Sequence, residues 1–262
     1  MRAWVEGIGL IGPGLRGWRD SRAVLAGHEP YVAQPVTVPA SDWLPPAERR
    51  RTGLAVRLAL AVGREACEHA HRDPRTLATV FTSSGGDGDN QHVICESLAS
   101  SARELSPTRF HNSVHNAPAG YWGVATGSME NSTTLCAYDW SFGAGLVEAL
   151  TWLGQEQQPI LLISYDTPYP EPMHAVRPLV AAFGVAFVFT PGATGHSVAA
   201  LEVDLSPDAP TGSLPAGLDV LCGGAPSARS LPVLHALARA AATTAQVEYL
   251  DGRSLVVLCT PC

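Results

Sequence analysis

The chain has no lysine: its 17 basic residues are all arginine, set against 24 aspartates and glutamates, and the formal net charge is −7. An acidic chain without a basic tract argues against nucleic acid as a partner. The same balance argues against this chain as the main dock for an acidic carrier protein. Arg49-Arg50-Arg51 is the only basic cluster, and it reads as a solvated helix start. No apolar run approaches the roughly eighteen residues a spanning helix needs, so no membrane span is expected. A secretory hydrophobic region is also missing after Arg2, where Glu6 and glycines interrupt the run, and the expected compartment is the cytoplasm. No Gly-x-Ser-x-Gly elbow exists, which disfavours an ordinary α/β-hydrolase. Cysteines are few, six in 262 residues, and lie mostly within apolar stretches. They are expected to be reduced, core-filling thiols rather than a disulfide framework. Cys259-Thr-Pro-Cys262 has redox spacing but follows a strand instead of opening a helix, and no second pair lies nearby. Neither a metal nor a cofactor is expected from it.

What is present is a chain rich in apolar residues, 46%, with only 16% charged, fitting a compact α/β protein. Residues 4–11 read as an opening strand, 16–26 as a short helix, and 30–47 as a proline-rich surface loop. A long helix is expected over 46–70, with Leu54, Leu58, Leu60, Ala61 and Ala66 supplying its apolar face. Strands are expected at 77–83, 132–138, 160–165, 181–190, 199–205, 218–222 and 254–259. Helices are expected at 90–103, with Val93, Ile94, Leu98 and Ala99 inward, at 143–150 and at 231–242. Residues 206–217 form a Pro/Gly-rich connection. Alternating strands and helices point to an α/β sandwich with at least one mixed or parallel sheet.

Gly7-Ile-Gly-Leu-Ile-Gly12 matches the three-glycine dinucleotide pattern, but Pro13 and Gly14 intervene before any helix, and Glu29 sits in a loop. A lone match of this kind is weak. His111 and His115 are four apart without a third ligand in view, and read as polar or interfacial residues of a turn. Gly143, Gly145 and Ala149 put small residues along one helix face, where another backbone approaches closely.

The order of these pieces resembles the first half of a β-ketoacyl synthase, of the thiolase fold. It rests on Val5-Glu-Gly-Ile-Gly9, on Thr82-Ser-Ser-Gly-Gly86, and on Ser106-Pro107 through Asn116-Ala-Pro-Ala-Gly120. The strand at 132–138, the small-residue helix and Ile160-Leu-Leu-Ile-Ser-Tyr165 follow. The resemblance implies a layered α/β sandwich in a single domain, 1–262, with a ketosynthase-like half over 1–190 and a reduced C-terminal half over 191–262. Ungapped counting puts the nucleophile position at Asp139, and a short gap moves it to Phe142. Neither is a cysteine, and Cys136 is the alternative nucleophile. No His-Gly-Thr motif follows; His196 and His235 lie in other contexts, and Asp251-Gly-Arg-Ser254 looks like a stripped remnant of the second motif.

A ketosynthase-like chain without the cysteine and histidines resembles the chain-length-factor subunit of type II polyketide systems. Leu135-Cys-Ala-Tyr-Asp139 and Ser164-Tyr-Asp-Thr-Pro-Tyr-Pro-Glu-Pro172 look like the proteins of aryl-polyene and xanthomonadin-type pigment clusters. The resemblance implies a heterodimer with a full-length ketosynthase that holds the Cys-His-His set, paired across the strand at 132–138. It implies an acyl carrier protein reached through the complex, and malonyl units as extenders. Phe110, His111, His115, Tyr121, Trp122 and Phe142 are the tunnel and interface candidates. Two alternatives stand beside this reading. One is a condensing enzyme using Cys136 with help from His111, His115 or Asp139; the other is a homodimeric binding or scaffold protein.

Overall fold

The computed structural model describes residues 1–179 and 181–262. In chain order its elements are β1 (Arg2–Gly12), β2 (Leu15–Arg16), α1 (Trp18–Ala26), α2 (Pro46–Arg49), α3 (Leu54–Ala70), β3 (Ala78–Thr82), α4 (Gly88–Ala99), α5 (Pro107–His111), α6 (Ala117–Thr126) and β4 (Ser132–Leu135). Then come α7 (Ser141–Glu156), β5 (Ile160–Asp166), α8 (Met173–Val176), β6 (Phe183–Thr190), β7 (Ala199–Ser206), α9 (Leu218–Gly224), α10 (Leu231–Ala238), β8 (Thr243–Glu248) and β9 (Ser254–Pro261). The strands form one sheet in the order β4-β3-β5-β6-β1-β7-β9-β8, with β2 paired to β1. β3 runs parallel to β4 and β5, and the other pairings are antiparallel.

Side-chain alternation explains the layering. On β5, Ile160 and Leu162 face one core while Leu161, Ile163 and Tyr165 face the other; on β6, Phe183, Val185, Phe187 and Phe189 oppose Ala186 and Val188. Both strands are buried on both faces, as continuous apolar runs require. The first core is covered by α1, α7, α9 and α10, the second by α3 and α6. The result is a three-layer α/β sandwich. Residues 191–262 extend the same sheet beyond β1 through β7, β9 and β8, and their side chains join the first core.

The three-glycine pattern has a packing origin. Gly7 and Gly9 lie inside β1, and a Cβ on either would stand 2.0 Å from the carbonyl oxygen of Ala66 or Val62 on α3. Their absence of side chains lets the helix lie directly on the strand. From the same helix, Glu65 accepts hydrogen bonds from Leu10 N at 2.9 Å and Trp18 N at 2.6 Å, and His69 Nδ1 accepts from Ile8 N at 3.0 Å. A register shift between Val5 and Gly7 resets the alternation, so that Val5 and Ile8 enter the same core. Glu6, at the shift, is buried and bidentate to Arg72 at 2.8 and 3.0 Å.

Several expectations are corrected. The helix expected over 46–70 is two, α2 and α3, because the chain turns extended at Gly53. The helix expected at 90–103 runs Gly88–Ala99, and Leu98 and Ala99 point outward; its buried residues are Gly88 and Asn90, whose amide donates to Arg109 O. The strand at 132–138 stops at Leu135. Residues 218–222 are helical, not a strand: Gly217 at φ 86 starts the helix, and Leu218 and Leu221 are buried at helical spacing. A short apolar run does not distinguish the two by itself. The helix from Leu231 ends at Ala238, and β8 follows, turning Ala245 and Val247 inward. Of the six cysteines only Cys67 and Cys259 are buried, whereas Cys95, Cys136 and Cys262 are exposed.

Candidate functional site

The site lies where β3, β4 and β5 end on one side of the sheet. Between β4 and α7 the chain makes a single 3₁₀ turn, Tyr138–Trp140, and Tyr138 adopts φ 53. A non-glycine residue held in the left-handed region at a sharp strand-to-helix turn is the geometry of a nucleophile elbow. The helix behind it fits closely because of its glycine. A Cβ on Gly145 would stand 2.3 Å from Thr82 Cγ2 and 3.0 Å from Leu162, so α7 rests on β3 and β5.

Asp139 sits at the elbow, clamped by two arginines. Arg177, just after α8, donates from Nη2 to Asp139 Oδ1 at 2.6 Å, and Arg229, in the 3₁₀ segment Pro226–Ser230, reaches Asp139 Oδ2 at 3.2 Å. Their side chains are only 19% and 16% exposed, against 36% for Asp139. Arg229 also pairs with Glu248, which accepts from Trp140 Nε1 at 3.4 Å. The Arg177 guanidinium lies 3.6 Å from the centroid of the Tyr138 ring, a stacked cation–π contact. A carboxylate whose two oxygens each hold a guanidinium is occupied as an acceptor and unfit to act as a free base.

Ser83 and Ser84, the first residues after β3, form the hub beneath the elbow. Ser84 Oγ accepts from Arg177 at 2.6 Å, Ser84 O accepts from Cys136 Sγ at 3.1 Å, and Ser83 O accepts from His115 Nε2 at 3.1 Å. The carbonyl requires the His115 proton on Nε2. Asp166, fully buried at the end of β5, accepts from Ser84 N at 2.8 Å, Ser227 N at 2.7 Å and Ser83 Oγ at 3.3 Å. Burial pushes its carboxyl up to about 6, against the pull of these backbone and hydroxyl donors.

The sequence-derived residues do not all gather here. Phe142 is buried on the α7 face and packs against Phe187, with ring centroids 6.1 Å apart. Tyr121 and Trp122 are buried in the opposite core, Trp122 against Trp43 and Phe81, and Tyr121 donating to Asn112 at 3.1 Å. His111 stacks edgewise on Tyr121. Phe110 alone among the aromatic candidates is open to solvent, at 67% exposure. Leu105, Val114, Val124, Met129 and Tyr138 also expose apolar side chains, and β4 is an edge strand of the sheet. Sequence reading missed Arg177, Arg229, Glu248 and Asp166. A charge inside an otherwise apolar or Pro-rich segment was the only available signal.

A cavity of about 700 Å³ borders the ion pairs, lined by Leu214, Cys222, Arg229, His235, Gln246 and Glu248 among others. Burial raises the Cys222 thiol to about 11, which leaves it protonated at neutral pH. Among the described residues, no group of three or more His, Cys, Asp or Glu is placed to hold a metal ion. Among the described residues, no helix is long and apolar enough to cross a membrane.

This sheet order and the strand–elbow–helix platform define a ketosynthase-type chain of the thiolase fold. The chain belongs to the β-ketoacyl synthase N-terminal domain family, whose pattern it matches over residues 20–248. Its fold is shared, at TM-score 0.76 and 22% identity, with a chain of the complex between the ketosynthase ApeO and its chain length factor ApeC from Xenorhabdus doucetiae; the alignment covers 98% of this chain and 99% of that one. The ishigamide ketosynthase/chain length factor aligns at TM-score 0.73 and 15% identity over 100% and 99% of the two chains. A β-ketoacyl synthase from Burkholderia phymatum STM815 aligns at 0.59 and 15% identity, over 88% of this chain and 71% of that one. At these identities the likeness is one of fold. A search of curated proteins returns no match.

Proposed function

We propose that this chain is the non-catalytic, chain-length-factor-type partner of a full-length β-ketoacyl-ACP synthase, and that the pair elongates a carrier-bound polyene with malonyl units. The observation that carries the reading is Asp139, held by Arg177 and Arg229 where a condensing enzyme needs a free thiolate at the start of a helix. In this reading Cys136 is not the nucleophile: its Sγ–H is engaged with Ser84 O, and the elbow proper begins two residues later. The solved assemblies of similar fold that pair a ketosynthase with a chain length factor support the same reading.

The partner docks along the free edge of β4, which presents unpaired strand groups, and over exposed apolar side chains such as Phe110. Phe110 reaches the acyl tunnel of the partner and limits its depth, while Tyr121, Trp122 and Phe142 hold the layers that present it. The carrier protein docks on the assembled pair.

The test is co-expression with a full-length ketosynthase from the same gene cluster, followed by size-exclusion chromatography with mass detection. A one-to-one complex is expected, and its product chains require the partner's cysteine. A homodimer that ignores the ketosynthase overturns the reading. Acyl transfer to this chain from a loaded carrier protein, abolished by Cys136→Ala, would instead establish the condensing-enzyme alternative.

A further inference from the structure

Among the described residues, Arg177 has a single ionic partner, Asp139, and its guanidinium is mostly buried between that carboxylate, Ser84 Oγ and the Tyr138 ring. Arg229 approaches the other carboxylate oxygen from the opposite element. The two guanidinium groups come from segments 52 residues apart in sequence and converge on one carboxylate, each on its own oxygen. Planar guanidinium donors are suited to this recognition. Removing Asp139 leaves Arg177 without an ionic partner, while Arg229 keeps Glu248; an uncompensated, mostly buried guanidinium is costly, and an anion of the right size then has reason to enter.

We infer that Arg177 and Arg229 form a carboxylate-binding site at the elbow, which Asp139 occupies as an internal ligand. The ligand class is a small monocarboxylate. Truncating Asp139 at Cβ removes one carboxylate group, so formate matches the vacated volume. With Asp139 in place each guanidinium already holds one of its carboxylate oxygens, and the carboxylate of a malonyl-type extender is excluded from this elbow. The elbow is closed by its own side chain as well as lacking a nucleophile.

The experiment uses the purified full chain carrying Asp139→Ala. Its thermal unfolding is followed in rising sodium formate, with sodium chloride at matched ionic strength. The variant is expected to melt below the wild type and to regain stability saturably in formate but not in chloride, while the wild type responds to neither. At free formate a hundredfold above its Kd, the folded-to-unfolded ratio of the variant rises about 100-fold. An unchanged melting point, or a formate response no larger than that of chloride, overturns the inference. If Asp139→Ala yields no folded protein under any condition, urea unfolding of Asp139→Asn, Arg177→Gln and their double variant decides. Coupled effects support the site, and additive effects overturn it. No partner protein enters either experiment, so a negative outcome leaves the heterodimer reading untouched.

Discussion

Ser227 donates its backbone N–H to Asp166 Oδ2 at 2.7 Å across 61 positions of sequence, tying the 3₁₀ segment that carries Arg229 to the end of β5. Burial of the carboxyl that accepts this bond makes the elbow's stability depend on pH. The Asp166 carboxyl is raised from 3.8 to about 6 by burial, so the folded chain holds that proton more tightly than the unfolded one. The stability this confers is fully present below about pH 4 and is lost as pH rises through about 6, amounting to roughly 3 kcal/mol. Urea unfolding of the wild type and Asp166→Asn at several pH values between 4 and 7 checks this. The stability gap between them is expected to narrow by about that amount as pH rises. A constant gap refutes the assignment.

Glu6 predicts the opposite slope. Burial alone would raise its carboxyl, but hydrogen bonds from Arg72 and Thr194, with the Arg72 charge, outweigh it and hold the group below its ordinary value. Its contribution is present above the ordinary carboxylate pKa and is lost as pH falls through the lowered one. Glu6→Gln leaves Arg72 without its bidentate partner and is expected to cost about 3 kcal/mol near pH 7. In a urea series extended down to about pH 3, that deficit should shrink below about pH 4.

Two glycines of α7 separate packing from propensity. Gly145→Ala places a methyl against Thr82 and Leu162 and is expected to lose about 1–3 kcal/mol as the helix is pushed off the sheet. Gly154 faces open space, and Gly154→Ala is expected to gain about 1 kcal/mol. Denaturant midpoints of the two variants should move in opposite directions.

The aromatic candidates divide by burial. Phe142→Ala empties a core position and is expected to destabilise by about 3–5 kcal/mol. Phe110→Ala, on an exposed side chain, is expected to leave the melting temperature of the isolated chain unchanged and to lengthen the products of the reconstituted pair. Mass spectrometry of carrier-bound products, read beside the melting curves, checks both.

Much of this architecture was legible because strong periodicity leaves few alternatives. The doubly buried strands at 160–166 and 183–190 and the amphipathic helix at 54–70 announce themselves through uninterrupted or regularly spaced apolar residues. The helix at 218–224 and the strand at 243–248 did not: four apolar residues in the first fit either period, the second has only Ala245 and Val247, and tertiary packing decides. Counting puts the nucleophile position at Asp139 or Phe142, and the structure places Asp139 on the 3₁₀ turn before α7, but its clamp is invisible in the sequence. Arg177 and Arg229 stand 38 and 90 positions away, within local sequences such as His-Ala-Val-Arg-Pro and Ser-Ala-Arg-Ser that carry no sign of convergence. Likewise Tyr121 and Trp122 lie on the helix after the one carrying Phe110 yet turn into the core, since only the fold determines which face of a short helix is covered.

The position of β7, between β1 and β9, bears on how the chain is made. On the ribosome, the first strand waits for a neighbour synthesised nearly two hundred residues later, and that neighbour waits in turn for residues 254–261. Until then a growing chain exposes unpaired strand backbone beside an uncovered apolar surface, the state most vulnerable to aggregation. Slow translation across 206–253, or a chaperone holding the nascent sheet, would therefore bear on yield.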